Sequence, residues 1–430
     1  MHHVIIGNSI AGVEAALTIR KRDEQARITV ISAESARPFA RTAMMYVFCG
    51  QLRLEDTEFL DRGAWERLRI ETVFDRVLSV DVSGHRLVLQ SGAAVTYDRL
   101  LLAVGSAARR LALPPATGTD RIHHYVTLDD HRRLDSAARA GMRAAVIGGG
   151  LIGVEVAEVL QHRGLATHWL VREAWTWPVA LDRAEAAVVE AHVRTHGVDV
   201  RTGFPVETIT PATNGLRLRS GAENLDVDLV VAAIGVVPNT GFLETSDVAL
   251  APDGSVQTRD DLSSTSAPDV FAAGDCACVT WADGSRRPET LWYTGRDQGR
   301  AAGAAMVGDH VHYRRGTWTN AAKFFDIEYT TAGYVPLAAA ERGAPTPGRW
   351  QTWFQTLPGE AASLRIVVKD DRVVGFNALG RRWNTEVWLA WIRERRPLPW
   401  VLARLATACF DEEFTPAFAV LPSATILEGA

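Results

Sequence analysis

Val4-Ile5-Ile6-Gly7-Asn8-Ser9-Ile10-Ala11-Gly12 and Ala144-Ala145-Val146-Ile147-Gly148-Gly149-Gly150-Leu151-Ile152-Gly153 are two versions of one pattern. In each, a short apolar run breaks at glycine, and a helix-compatible stretch follows, residues 13–22 in the first and 154–162 in the second. A second β-like run comes next, residues 28–32 and residues 167–171. Strand, glycine turn, helix and strand are the opening of a βαβ nucleotide-binding unit. Two copies predict two dinucleotide sites and an α/β fold.

The loops carry the chemistry. In the first, Ser9 replaces the middle glycine of G-x-G-x-x-G, and it is small enough to let a pyrophosphate approach the backbone. The helix that follows supplies N–H groups and the positive end of its dipole. Glu34, just past run 28–32, stands where a carboxylate binds ribose hydroxyls. The second loop is complete at Gly148, Gly150 and Gly153. There Val171 takes the place of the ribose-binding acid, and Arg172 follows. Arg172 reads either as a partner for a 2′-phosphate or as a solvated arginine half-neutralised by Glu173.

Composition bounds the rest. The chain has 430 residues, which at about 150 per domain predicts about three domains. Acidic residues number 51 and basic ones 46, for a formal charge of −5, with 47% hydrophobic and 23% charged residues. That is globular composition and excludes a wholly disordered chain. A dedicated nucleic-acid binder needs surplus cations, which are absent. The three lysines against 43 arginines read as codon usage, since the arginines are scattered among acids. Four cysteines, Cys49, Cys276, Cys278 and Cys409, exclude a disulfide scaffold. The N-terminus has no apolar core of a secretion signal. The longest apolar run, residues 229–237, falls far short of the ~18 that cross a bilayer. A soluble, cytoplasmic protein is expected.

Runs 100–104, 229–234 and 270–273 each end at a glycine, Gly105, Gly235 and Gly274, as strands do when their ends abut a ligand. Pro114-Pro115 with Thr117-Gly118-Thr119 reads as a linker. Beyond Tyr313 the texture changes. Residues 363–370 and 372–379 read as strands around an Asp-Asp turn, and Asn384 as the cap of a helix with Val387/Trp391 and Trp388/Ile392 on one face. Pro397 and Pro399 are expected to stop that helix, and residues 400–409 to start another with Val401, Leu405 and Cys409 on one stripe. The tail is predicted as an α+β domain.

Three further stretches carry a family resemblance: Tyr97-Asp98-Arg99-Leu100-Leu101-Leu102-Ala103-Val104-Gly105; Asp228-Leu229-Val230-Val231-Ala232-Ala233-Ile234-Gly235 with Pro238-Asn239-Thr240; and Asp269-Val270-Phe271-Ala272-Ala273-Gly274-Asp275. With the two loops, essentially the whole chain resembles the FAD- and NAD(P)-dependent pyridine nucleotide–disulfide oxidoreductase superfamily. Its nearest likeness is to the branch of rubredoxin reductases, NADH oxidases and nitrite reductase flavin modules. The resemblance implies two Rossmann-like domains, the NAD(P)-binding one (116–240) inserted in the FAD-binding one (1–115 and 241–315), and a C-terminal interface domain (316–430) that forms a homodimer. It implies an FAD site of Gly7, Ser9, Ile10, Ala11, Gly12, Glu34, Arg41, Thr42, Val77, Gly105, Arg109, Gly274, Asp275 and Trp292. The segment Arg37-Pro38-Phe39-Ala40-Arg41-Thr42-Ala43-Met44 would lie on FAD, and Asp275 would accept hydrogen bonds from its ribityl and pyrophosphate region. The NAD(P) site would comprise Gly148, Gly150, Leu151, Ile152, Gly153, Glu155, Arg172 and Gly235, with Glu155 near the nicotinamide carboxamide and Arg172 tilting the choice toward NADPH.

Missing residues sharpen this. The superfamily's disulfide reductases carry a C-x4-C pair, which this chain lacks. Its single-cysteine members place the thiol eight residues before a helix-ending glycine; counted from Gly50, Thr42 stands there. Cys49 lies about two turns further on and reads as a small buried residue. Cys276 and Cys278 are two ligands without a third, and His123-His124 read as surface histidines, so no metal site is expected. The implied enzyme moves a hydride from NAD(P)H to FAD, then electrons to a small redox protein, a quinone or another diffusible acceptor, with no cysteine relay. The alternatives are a redox-sensing or assembly subunit of poor turnover, and a thiol or peroxide reductase using Cys49. The cluster Trp383, Trp388, Trp391 and Trp400 reads as a core or interface face, or as a surface for a partner protein or a membrane, which Arg393-Glu394-Arg395-Arg396 permits without requiring.

Overall fold

The apolar runs that stop at glycine become parallel strands in the computed structural model, which describes residues 1–112, 119–281, 284–335, 348–357, 359–411, 413, 420 and 425–428. The linker expected at Pro114-Pro115 lies outside the described residues. The chain forms two compact units. One holds Met1–Arg109, His124–Ser136 and Gly235–Arg315; the other holds Arg110–His123, Ala137–Ile234 and Gly316–Ala430. The segment 116–240, expected as one domain, thus contributes residues to both.

In the first unit five strands form a parallel sheet in the order Val270–Ala272, Arg99–Leu102, His2–Ile6, Arg27–Ser32, Ile70–Phe74. Val4, Ile5, Ile28, Val30, Leu100, Leu101 and Leu102 are all buried, because both faces of the sheet are covered. Helix Ile10–Arg22 runs against helix Trp292–Met306 at backbone contact. A Cβ on Gly299 would lie 2.2 Å from the Ala11 carbonyl oxygen, and one on Gly303 2.6 Å from that of Ala15, so only glycine permits the approach. Arg20, buried in this unit, donates to the carbonyls of Asp23, Glu24, Ala26, Leu68 and Arg69 and ties the end of its helix to the chain around it.

The second unit repeats the parallel theme in the order Asp199–Arg201, Ala166–Leu170, Arg143–Ile147, Leu229–Ala232, Ile122–His123. An antiparallel meander, Thr208–Ala212, Gly215–Ser220 and Glu223–Val227, packs with it. The C-terminal part is a six-stranded antiparallel sheet: Thr319–Phe324, Ile327–Gly333, Arg372–Leu379, Ser363–Lys369, Trp350–Thr356, Thr425–Glu428. Asp370 and Asp371 make the expected turn, both at positive φ (50° and 62°).

Details of the tail differ from the expectations or decide between them. Asn384 does sit at the N-cap of helix Thr385–Arg393, but its side chain makes no capping bond. Pro397 caps the next helix, Leu398–Leu402, and Pro399 lies in its first turn, where a missing N–H costs nothing; Pro399 begins a helix rather than ending one. That helix is short, and Leu405–Ala408 follows as a separate 3₁₀ turn. Trp383, Trp388 and Trp391 are core residues, with Trp388 stacked on Phe376 at 4.2 Å, so they present no docking surface. Trp400 is held between the guanidinium groups of Arg396 and Arg404, each about 4.4 Å from its ring.

A buried ion pair fastens the parallel-sheet part of this unit to its antiparallel sheet. Glu185, on helix Arg183–Thr195, is fully buried and takes Arg365 Nε at 3.1 Å and Arg365 Nη2. Asn377 donates to Glu185 at 3.0 Å, and Asp182 and Glu185 form a reciprocal capping box.

Candidate functional site

Both glycine loops are closed to side chains at the same points. Gly7 and Gly148 have φ of 114° and 127°, and a Cβ there would meet the Ala103 and Ala233 carbonyl oxygens at 2.1 and 2.2 Å. A Cβ on Gly12 or Gly153 would meet the carbonyl oxygen of the first glycine of its own loop at 1.9 or 2.0 Å. At Gly150, by contrast, nothing lies within 4 Å of a Cβ, which leaves the middle of the second loop open. Ser9 and Gly150 are the N-caps of helices Ile10–Arg22 and Leu151–His162, and neither helix has a side-chain capping bond. The first-turn amides, at Ile10-Ala11 and Leu151-Ile152, are therefore left for an anion. Both loops fit a dinucleotide.

In the first unit Glu34 is fully engaged. Arg41 donates to its two oxygens at 2.9 and 2.5 Å and to the Val126 carbonyl at 2.6 Å, while the Leu128 amide donates to Glu34 at 2.8 Å. Burial pushes the Glu34 carboxyl up, but Arg41 and the Leu128 amide outweigh it and hold Glu34 below the usual carboxylate range. Arg41 is thus the counter-ion of the acid expected to bind ribose. Asp275, at the end of strand Val270–Ala272, accepts from the Ser106 hydroxyl at 2.7 Å. Burial raises its carboxyl, against the pull of Ser106 and Arg41. The Gly274 amide donates to buried Gln298 at 2.8 Å, which fixes the loop that presents Asp275.

The other expected residues of this unit are spread more widely. Gly105 and Gly235 sit at positive φ with open space around a Cβ, and Arg109 N–H bonds the Gly235 carbonyl at 3.0 Å. Gly235, expected with the second site, therefore belongs to the first unit. Thr42 is exposed in the 3₁₀ turn Arg41–Ala43, Trp292 opens its helix with Arg296 over its ring, and Val77 is buried in the hydrophobic core.

In the second unit Trp169 Nε1 donates to the Gly148 carbonyl at 2.9 Å and locks the loop. Val171 is fully buried against Gly149, where a Cβ would lie 2.5 Å from its Cγ1; an apolar side chain fills the place of an acid. Arg172 extends into solvent with 80% of its side chain exposed and pairs with Glu173 at 2.7 Å. Glu155 is half-buried on the first turns of helix Leu151–His162, and burial, then Glu158, push its carboxyl up to about 8.

Cys49 closes helix Met44–Phe48 and is half-buried. Cys276 donates to the Leu102 carbonyl at 3.2 Å, and burial pushes its thiol up to about 11, so it stays protonated. Cys278 is buried in strand Ala277–Thr280. His123 is no surface histidine: it pairs into the sheet edge at 8% exposure. Among the described residues no three His, Cys, Asp or Glu side chains gather as a metal site, and no helix is long and apolar enough to cross a membrane.

Residues 1–299 match the family described as pyridine nucleotide-disulphide oxidoreductase. The ferredoxin reductase subunit of 5,5'-dehydrodivanillate O-demethylase from Sphingobium sp. is 31% identical over 355 residues, 79% of this chain and 82% of the relative. Rhodocoxin reductase from Rhodococcus erythropolis is 30% identical over 361 residues, 80% of each chain. The crystal structure of a covalent putidaredoxin reductase–putidaredoxin complex matches 92% of this chain and 94% of its own with a TM-score of 0.79 at 22% identity, a likeness of fold.

Proposed function

Because the chain belongs to the pyridine nucleotide-disulphide oxidoreductase family and is an FAD-dependent NAD(P)H oxidoreductase, we propose that it reduces a small iron–sulfur redox protein without a thiol relay. FAD, when bound, supplies the chemistry: it takes two electrons from the nicotinamide and releases them to the acceptor. The residues hold and orient. The amides at the start of helix Ile10–Arg22 would take the pyrophosphate, Glu34 fixed by Arg41 the ribose, and Asp275 with Ser106 the polar chain toward the flavin. In the second unit Gly148, Gly150 and Gly153 would cradle the nucleotide and Glu155 would face the carboxamide.

One observation carries the direct route: exposed Thr42 stands where the single-cysteine members of the family place their thiol, and Cys49 lies at the far end of the next helix. The acceptor class draws on the relatives, one of which is named a ferredoxin reductase subunit and another rhodocoxin reductase. Arg172, solvent-facing beside an apolar Val171, supports NADPH as donor. The test is turnover of NADPH with a [2Fe–2S] ferredoxin coupled to cytochrome c, for the wild type and Cys49→Ser. Equal rates support the reading; loss of turnover in the variant sinks it and restores a thiol relay.

A further inference from the structure

Two successive carbonyls of the second glycine loop are held by tryptophans. Trp169 Nε1 donates to the Gly148 carbonyl at 2.9 Å, and the Trp177 backbone N–H donates to the Gly149 carbonyl at 2.7 Å. A trans peptide points its N–H away from its C=O, so holding these two oxygens sets the direction of the Gly149 and Gly150 N–H groups. Among the described residues no backbone carbonyl takes either N–H. With the first-turn amides of helix Leu151–His162 they make a run of free donors, the kind of concavity that binds an anion. Trp177 gives its N–H from a backbone that a bulky residue seldom adopts, at φ 48°. Such a conformation persists only where its surroundings hold it. Here the Ala180 and Leu181 amides, each at 2.9 Å, bond the Trp177 carbonyl, and Glu190 accepts the Thr176 N–H at 2.9 Å. The half-buried Trp177 ring lies 4.9 Å from the Tyr329 ring and, edge-on, 6.4 Å from Phe324. Both are buried residues of the C-terminal antiparallel sheet.

We propose that Trp177 is a positioning residue for the nicotinamide nucleotide, and that the C-terminal sheet takes part in nucleotide binding through Tyr329 and Phe324. The ring, seated on the sheet, holds the strained backbone. That backbone's N–H holds the Gly149 carbonyl turned from the ligand, and the loop meets the pyrophosphate with N–H groups. This rests on the reading of the Gly148–Gly153 loop as the nucleotide site. The pyrophosphate is common to NADH and NADPH, so Trp177 acts on both alike, whereas Arg172 would act on the 2′-phosphate alone. By linkage, a sheet that steadies the loop for its ligand is itself steadied when the ligand binds.

The test compares Trp177→Ala, Trp177→Gly and Trp177→Phe with the wild type, all FAD-loaded. The readouts are KM and kcat for NADPH and for NADH with ferricyanide as acceptor, and the inhibition constant of ADP-ribose, which carries the pyrophosphate without the nicotinamide. Trp177→Ala keeps the strained φ and loses the ring, so both KM values and the ADP-ribose constant should rise about tenfold, with kcat within about twofold. Trp177→Gly adopts positive φ freely and Trp177→Phe keeps a ring, so each should rise by less than about threefold. Unchanged KM in Trp177→Ala overturns the proposal. So does a rise for one nucleotide alone, a fall in kcat matching the rise in KM, or a loss in Trp177→Gly as large as in Trp177→Ala. Hydrogen exchange of the wild type tests the same claim without a variant: ADP-ribose should slow exchange in residues 176–181 and in strand Ile327–Gly333. An unaltered strand overturns the part given to the sheet. If the wild type binds neither nucleotide nor ADP-ribose, the nucleotide-site reading falls and this proposal with it; if it binds them and the variants match it, that reading stands and only Trp177 loses its role.

Discussion

Arg365→Met removes the cation from a carboxyl that cannot reach water. Glu185 has no exposure, and Arg365 meets it through Nε at 3.1 Å and through Nη2, with Nη1 lying 3.6 Å from Asp182. Burial already pushes the Glu185 carboxyl up to about 7 despite Arg365. With the guanidinium gone, the Asn377 amide at 3.1 Å from Ala180 and 3.0 Å from Glu185 and the Asp182 amide at 3.0 Å remain as donors, and the carboxyl rises further. Breaking a buried pair from one side costs about 3–5 kcal/mol. At about 3 °C per kcal/mol for a unit of this size, the second unit should melt about 10–15 °C lower at pH 7. Because the folded value lies above the ordinary 4.5, the stability held by protonated Glu185 is full below pH 4.5 and is lost as pH rises through about 7. Near pH 5 both proteins bury a neutral acid, and the gap there is the loss of the Arg365 hydrogen bonds and packing, which persists at pH 7. It widens above pH 7, where the wild type ionises against Arg365 and the variant has no cation to ionise against. Scanning calorimetry of the FAD-loaded chain from pH 5 to 8, at fixed FAD concentration, reads both effects. A loss below about 1 kcal/mol at pH 7, or a gap independent of pH, refutes the reasoning.

Two other substitutions probe different parts of the account. Gly299→Ala places a methyl 2.2 Å from the Ala11 carbonyl oxygen, so helices Ile10–Arg22 and Trp292–Met306 must part. Stability should fall by about 1–3 kcal/mol, and the purified protein should carry less FAD per chain, measured by its absorbance ratio. Arg172→Ala should raise KM for NADPH about tenfold, as expected for losing one charge-assisted phosphate contact, and leave NADH kinetics unchanged. Equal effects on both nucleotides would remove Arg172 from the phosphate site.

The sequence carries the parallel sheets clearly because strand, glycine and helix are local signals. Runs 4–6, 28–32, 144–147 and 167–171 all fall within observed strands except Val171, and the loops sit at helix N-termini as read. What stayed hidden depends on contacts distant in sequence. The Arg41 bond to Val126 joins residues 85 apart, and the Leu128 bond to Glu34 joins residues 94 apart; no motif announces either. Ser106 beside Asp275, Gln298 beneath Gly274 and Trp169 on Gly148 are of the same kind. The tryptophans stayed undecided between core and surface for another reason. Spacing shows that Trp388 and Trp391 share a face, but it does not show that Phe376 and Trp383 wait to cover it. Pro399 reads as a stop in the sequence because the meaning of a proline depends on whether a helix ends or begins there.

The central claim is that the flavin is the only redox centre between nicotinamide and acceptor. Anaerobic titration of the oxidised, FAD-loaded protein with NADPH, followed by flavin absorbance, counts the electrons the protein can hold. The account predicts complete bleaching at one NADPH per FAD, with the same endpoint in Cys49→Ser. An endpoint at two equivalents in the wild type that falls to one in Cys49→Ser would contradict it, because the extra pair of electrons would then reside on a thiol centre.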